Sequence, residues 1–358
     1  MSRHIETLIA VLLREWLFFA AFVGMVAVSL YFKKLPAYSL NDFQVLFLLF
    51  VLFIIVNGLE RTNVFLKAAT VIEKGRFVPL KLILLTAVLS AIVTNDVALL
   101  IIVPLTMKME IRPKAGLVIL EAMAANAGSA LLPFGNPQNL FIYWFYHINI
   151  IYFVKTIYFL SFVSIGAIVL LLLLMNFRCD KVAFISDIKI KKGCWVYLIC
   201  LAILILIIIH ILPIYIGVIP ILYAFVFDRK SLQVDYLLLA TFFCFFGFTD
   251  NLRGILQYTI EKGGDVFLFS AIVSQFIGNV SSVLLFSDFT HNWKALLWGV
   301  NVGGFGNLMG SFANLIVYRI YTKDLSSSEI KNFLIRFHLI GYYLFAVGVS
   351  SFFLMDWM

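Results

Sequence analysis

Charge is the scarcest ingredient of this 358-residue sequence. Only 13% of its residues are Asp, Glu, Lys or Arg, against about 25% in soluble domains. That is too little to cover a water-facing surface, which excludes a soluble enzyme and a nucleic-acid-binding domain. Acidic residues are the rarer sign, 19 against 27 basic for a net charge of +8. In a membrane chain this excess belongs to cytoplasmic loops rather than to nucleic acid. The four cysteines (Cys179, Cys194, Cys200, Cys244) form no Cys-x-x-Cys pair and have no histidine at ligand spacing. No cofactor, metal centre or disulfide framework is therefore expected. HExxH and GxGD motifs are absent, and Ser129 has no histidine in its own segment, which argues against an intramembrane protease and against an enzyme generally.

Apolar residues are abundant, at 63% of the chain with a mean hydropathy of +1.03. Each spanning helix needs about 20 residues, and no stretch is polar enough to fold as a separate soluble domain. The expectation is an all-α polytopic membrane protein, surrounded by lipid, with about nine transmembrane helices plus two re-entrant hairpins. Apolar runs lie near 15–31, 43–59, 115–146, 150–176, 195–211, 213–228, 234–250, 293–318 and 333–355. No small-residue cleavage site follows the first, so it reads as a retained span.

The stretches 79–106 and 265–287 carry polar residues at mid-length. The most basic loop, 177–194, holds Arg178, Lys181, Lys189, Lys191 and Lys192 and is assigned to the cytoplasm. If 79–106 crossed the membrane, one of two basic segments, 60–81 or 107–114, would be forced outside. A hairpin entering and leaving on the cytoplasmic side avoids this. Counting on, Arg229, Lys230, Arg319 and Lys323 fall inside, and 265–287 becomes a hairpin entering from outside. The N-terminus is then cytoplasmic, and Lys33 and Lys34 are a mild misfit on the outer side.

The two halves resemble each other. Ser90 and Asn95 recur 184 positions later as Ser274 and Asn279. Asn126, Gly128, Gly135, Asn139 and Leu140 recur 175 positions later as Asn301, Gly303, Gly310, Asn314 and Leu315. The expected organisation is a first repeat over 1–176, with hairpin 79–106 and broken helix 115–146. A cytoplasmic loop and linking helix follow at 177–212, then a second, inverted repeat over 213–358 with hairpin 265–287 and broken helix 293–318. Inverted-topology repeats are common in secondary transporters.

Helix is interrupted at Thr94-Asn95-Asp96, at Gly278-Asn279, through Gly128, Ser129, Pro133, Gly135, Asn136 and Pro137, and through Gly303, Gly304, Gly306, Gly310 and Ser311. Such backbone must be buried in protein or line a wet cavity. Its carbonyls suit a cation and its half-helix N-termini an anion. Asp96 stands out because the second hairpin carries Val280 in its place. A carboxylate at this depth costs about 2.5–3.5 kcal/mol on insertion scales, which makes it a functional candidate. It suits Na⁺ or a proton, and it could also cap its own half-helix. Glu121 is a weaker candidate, for an exit path.

The segment Thr94-Asn95-Asp96-Val97-Ala98-Leu99-Leu100-Ile101-Ile102-Val103-Pro104-Leu105 resembles the Asn-Asp hairpin of the ion transporter superfamily. That group holds arsenite permeases, citrate-type carriers, sodium/proton antiporters and divalent-anion/sodium symporters. The glycine-rich segments at Gly128-Ser129 and Gly303-Gly304 are similar to its own, and the likeness extends to bacterial inner-membrane anion permeases. The resemblance implies an inner-membrane protein with a scaffold, an elevator-like transport domain, and assembly as a homodimer. It implies one cation site at Asn95 and the backbone around Gly128, and another at Asn279 and the backbone around Gly303. Na⁺ ligation by Asn95, Asp96 and Asn279 follows from it. The divalent-anion symporters carry Ser-Asn-Thr at both tips, however, whereas here the tips read Thr-Asn-Asp and Gly-Asn-Val.

The function expected is a Na⁺- or H⁺-coupled permease for a small inorganic or carboxylate anion. A sodium/proton antiporter and an arsenite permease are the alternatives, and a passive channel is a more distant one. With all native cysteines replaced, Leu80→Cys and Lys108→Cys should both react with an impermeant maleimide from the cytoplasmic side. Reaction from opposite sides would remove the first hairpin.

Overall fold

Polar caps mark where the apolar runs begin. In the computed structural model, which describes residues 16–36, 38–70, 77–181, 189–256, 259–323 and 325–355, a first helix α1 (Trp16–Phe32) precedes a capping box. Ser39 accepts from the Asp42 N–H while Asp42 accepts from the Ser39 N–H, opening α2 (Leu40–Arg61). The short α3 (Val64–Thr70) follows. The first hairpin is α4 (Val78–Val93) and α5 (Asn95–Lys108), joined by Thr94 alone and packed against each other. The long apolar run behind it is divided into α6 (Lys114–Ser129) and α7 (Pro137–Phe145). Asn149 caps α8 (Ile150–Leu174).

The second half repeats this order. After α9 (Cys194–Ile208), α10 (Val218–Phe227) and α11 (Tyr236–Leu256) come the hairpin arms α12 (Gly263–Ile277) and α13 (Asn279–Ser287). The second divided run is α14 (Trp293–Gly303) and α15 (Phe312–Thr322), and a Ser326–Glu329 capping box opens α16 (Ser327–Leu354). One feature without a counterpart in the sequence reading is a two-strand antiparallel ladder. It pairs β1 (Glu110–Arg112) with β2 (Arg178–Lys181).

The chain is a helical polytopic membrane protein. Among the described residues, four segments, 40–61, 150–174, 229–249 and 327–354, are long and apolar enough to cross a membrane alone. Three more of the nine expected runs are apolar helices of 10–17 residues, α1, α9 and α10. The remaining two are the divided runs, whose pieces of 9–16 residues are each too short to span alone.

Segments that the sequence assigns to one side touch one another. The Lys191 N–H donates to the Thr62 carbonyl at 3.0 Å, β1 pairs with β2, and Arg61 Nε lies 3.6 Å from Asp228 Oδ1. Segments assigned to the other side do the same. The Ile260 N–H donates to the Phe289 carbonyl at 2.7 Å, and the Tyr146 hydroxyl bonds to the carbonyls of Ser287 and Thr290, both at 2.9 Å.

Packing falls into two groups. Helices α1, α2, α9, α10 and α11 pack chiefly on one another, while α4 to α8 pack with α12 to α16. Close approach within the first group depends on glycine. A Cβ on Gly58 of α2 would lie 2.3 Å from the Tyr197 ring of α9. Gly166 of α8 has nothing within 4 Å of that position. Gly58→Ala should therefore lower the melting temperature of the purified protein, while Gly166→Ala should leave it unchanged or raise it, by up to about 1 kcal/mol from helix propensity.

Candidate functional site

The two hairpin tips share a backbone shape. Thr94 sits at φ 127°, ψ 152° and Gly278 at φ 84°, ψ 155°. Glycine adopts that region freely, whereas a β-branched threonine is strained there. The next side chain accepts from the N–H that follows it in both tips: Asn95 Oδ1 accepts the Asp96 N–H at 3.1 Å, and Asn279 Oδ1 accepts the Val280 N–H at 2.9 Å.

Dividing a helix orphans carbonyls at the end of its first piece. Side-chain amides take them up here. Asn139 Nδ2 donates to the carbonyls of Ser129 and Ala130 at 3.2 and 3.0 Å. In the other half Asn314 Nδ2 donates to those of Gly304 and Asn307, both at 3.0 Å, and Gln275 Nε2 to those of Gly303 and Phe305 at 2.8 and 3.2 Å. The same asparagines link the halves. Asn126 Nδ2 donates to Asn314 Oδ1 at 2.9 Å, and Asn301 Nδ2 donates to Asn139 Oδ1 at 2.8 Å. Both bonds join the two pairs that recur at an offset of 175. Asn95 ties the first tip to this lattice, donating from Nδ2 to Asn126 Oδ1 at 3.2 Å and from its N–H to the Gly135 carbonyl at 3.2 Å.

Two glycines let the divided runs rest on the hairpin arms. A Cβ on Gly128 would lie 2.1 Å from the Ala87 carbonyl oxygen, and one on Gly303 would lie 2.4 Å from Ser274 Cβ. Both are packing positions behind the site.

In front of the lattice lies a cavity of about 150 Å³, lined by Asn95, Asp96, Gln138, Asn279, Ser281, Ser311 and Arg319, together with Asp235, just before α11, and Thr241 of α11. The N-termini of α5, α7, α13 and α15 all open onto it. Four helix N-termini bring partial positive charge to it, although the N–H groups of Asn95, Asp96, Asn139 and Val280 are already bonded within the protein. Against them stands one carboxylate at a tip: Asp96 Oδ1 is buried without a hydrogen-bond partner among the described residues, and so is Ser281 Oγ.

Of the residues singled out from sequence, Asn95, Asp96, Asn279 and Ser311 line the cavity. Thr94, buried, forms the turn behind them. Gly128, Ser129, Asn136, Gly303 and Gly304 lie in the supporting lattice. Ser129 Oγ accepts from Asn136 Nδ2 at 3.2 Å, which also reaches Asn301 Oδ1 at 3.4 Å. Carbonyls freed around Gly128 and Gly303 accept from amide side chains, while Asp96 Oδ1 at the cavity has no partner among the described residues. Glu121 is fully buried, Thr106 donates to its Oε1 at 2.5 Å, and Oε2 has no partner among the described residues.

Sequence reasoning missed Arg319, Asp235, Gln138 and Ser281. Arg319 was assigned to a cytoplasmic helix end, yet it lies seven residues, about two turns, along α15 from Phe312 and reaches the cavity. Asp235 lies just before α11, where its Oδ1 accepts the Leu238 N–H at 2.9 Å. Ser281 was visible by aligning the tips, since it occupies the place of Val97 at the offset of 184.

Comparison with known proteins shows the family. Residues 8–303 match the citrate transporter family, CitMHS. The chain belongs to that family. Among its relatives is the uncharacterized transporter MJ0456 of Methanocaldococcus jannaschii, 34% identical over 321 residues that cover 86% of this chain and 88% of that protein. The inner membrane protein YbiR of Escherichia coli is 32% identical over 279 residues, covering 67% and 68% of the two chains. A silicon efflux transporter of rice, LSI3, is 28% identical over 149 residues, 40% of this chain and 31% of that one. This member of the citrate transporter family is thus a membrane transporter.

The lattice is a stability element. Asn314→Ala would remove three buried hydrogen bonds, the one accepted from Asn126 and those donated to the Gly304 and Asn307 carbonyls. At about 0.5–1.5 kcal/mol for each bond, the melting temperature should fall clearly below that of Asn332→Ala, a change outside the lattice.

Proposed function

We propose that this protein is a secondary active transporter that couples a Na⁺ ion or a proton to movement of a small anion through the cavity described above. One observation carries the reading. Four half-helix N-termini and one half-buried carboxylate, whose Oδ1 is buried and unpartnered among the described residues, face the same space between two groups of helices. At roughly half an elementary charge each, the N-termini give the cavity a positive bias that favours an anion. Asp96 opposes that bias while ionised and supports it once a cation or proton neutralises it. Anion and cation then bind better together than apart, which is the thermodynamic requirement for coupling.

The separation of packing groups supports an elevator-type cycle. The group of α1, α2, α9, α10 and α11 acts as the scaffold. The hairpins and divided runs carry the site past it, and α11 supplies the wall that they slide against. The reciprocal asparagine bonds, the matched tips and the touching loop ends support an inverted repeat with re-entrant hairpins in a bacterial inner membrane, N-terminus inside. Dimerisation comes with the family resemblance. The lone carboxylate also favours a second reading, a sodium/proton antiporter, in which Na⁺ and H⁺ compete for Asp96 and no anion moves.

Flux in proteoliposomes separates these readings. Wild-type protein should accumulate an anion when an inward Na⁺ or H⁺ gradient is imposed, and Asp96→Asn should bring the gradient's effect down to the level of empty vesicles. Sodium-for-proton exchange without anion flux would favour the antiporter. Gradient-driven anion flux that survives Asp96→Asn would remove Asp96 from coupling.

A further inference from the structure

The two tips match in backbone and differ in chemistry, and the differences are complementary. After the shared asparagine, the first tip reads Asp96-Val97 and the second Val280-Ser281. Each tip has one polar and one apolar residue in swapped places. The polar residue is an acceptor in one case and a hydroxyl donor in the other. Asp96 Oδ1 and Ser281 Oγ are both unpartnered among the described residues, and both residues line the cavity. Ser281 has no solvent exposure at all.

The backbone differs in the same sense. In the first tip the Asn95 N–H is consumed by the Gly135 carbonyl. In the second tip the Asn279 N–H has no such partner among the described residues; one turn on the tips match again, Ala98 donating to the Thr94 carbonyl at 3.1 Å and Ser282 to that of Gly278 at 3.0 Å. The facing α15 opens at Ser311, whose side chain makes no capping bond and lines the same cavity. Donors therefore accumulate on the second-half side, where no carboxylate stands at the tip.

We infer that the pseudo-equivalent tips have divided labour. The Gly278–Ser281 tip, with Ser281 Oγ and the N-termini of α13 and α15, holds the anion. The Asn95–Asp96 tip holds a single coupling cation. This deepens the transport reading and rests on it. One cation site at the tips follows, because Val280 removes the second carboxylate. The other charges facing Asp96 across the cavity are Asp235, just before α11, and Arg319 on α15. Arg319 adds to the anion side, and Asp235 stands on the scaffold wall.

The test is calorimetric titration of the full-length purified protein with sodium phosphate, sodium sulfate and sodium citrate, and separately with NaCl. Ser281→Val installs the residue found at the equivalent place in the first tip, and Ser281→Ala is the milder second variant should the first fold poorly. For whichever anion binds the wild-type protein, both changes should weaken its affinity at least tenfold while the response to NaCl alone persists. Asp96→Asn should abolish the response to NaCl and leave an anion affinity that no longer depends on Na⁺ or pH. Equal loss of both ligands in both variants overturns the division, as does an anion affinity untouched by Ser281→Ala. In either of those cases the wild-type anion signal leaves the transport reading standing. A wild-type protein that binds none of the anions overturns that reading and this inference with it.

Discussion

A backbone N–H or C=O at membrane depth must find a partner or face a cavity, and the asparagine lattice is how this fold meets that constraint. Asn126, Asn139, Asn301 and Asn314 close reciprocal bonds between the halves, and Asn139, Asn314 and Gln275 take up the carbonyls freed where the divided runs break. With the C-terminal ends satisfied from behind, the N-terminal ends are left to open onto one space. Neutral amides suit this task. Each offers two donors and an acceptor without the desolvation penalty of an ion.

Charge is then used sparingly. Within the cavity lining are only Asp96, Asp235 and Arg319, so each has leverage over which ion the space accepts. The positive bias comes from backbone that cannot titrate, and the negative charge comes from groups that can be neutralised. In the proposed cycle this asymmetry lets a cation or proton license anion occupancy.

Much of the fold was legible because apolar run length and basic loops are direct consequences of the bilayer. Polar residues at mid-length marked the two interrupted stretches, and glycine and proline marked the breaks; the turns fall at Thr94 and Gly278, the N-terminal half-helix ends at Ser129 and Gly303. The ladder of β1 with β2 was not legible, since three or four residues of extended chain carry no periodicity. In the site, Asn95, Asp96, Asn279 and Ser311 were legible as polar residues in apolar surroundings. Arg319 and Asp235 were not, because a charge near a helix end has a solvated explanation ready, and only three-dimensional packing brings α11 against the tips. The lattice role of Asn139 and Asn314 was hidden for a similar reason. Repetition singled them out, but only geometry shows them satisfying carbonyls of a broken helix.

The most direct measurement of the central claim is the melting temperature of the wild-type protein across a panel of small anions, with and without Na⁺, at two pH values. A ligand that binds the folded state raises the midpoint by mass action. The account predicts that at least one anion stabilises the protein, and that Na⁺ or the lower pH enlarges its effect. A midpoint indifferent to every anion under all four conditions would contradict it.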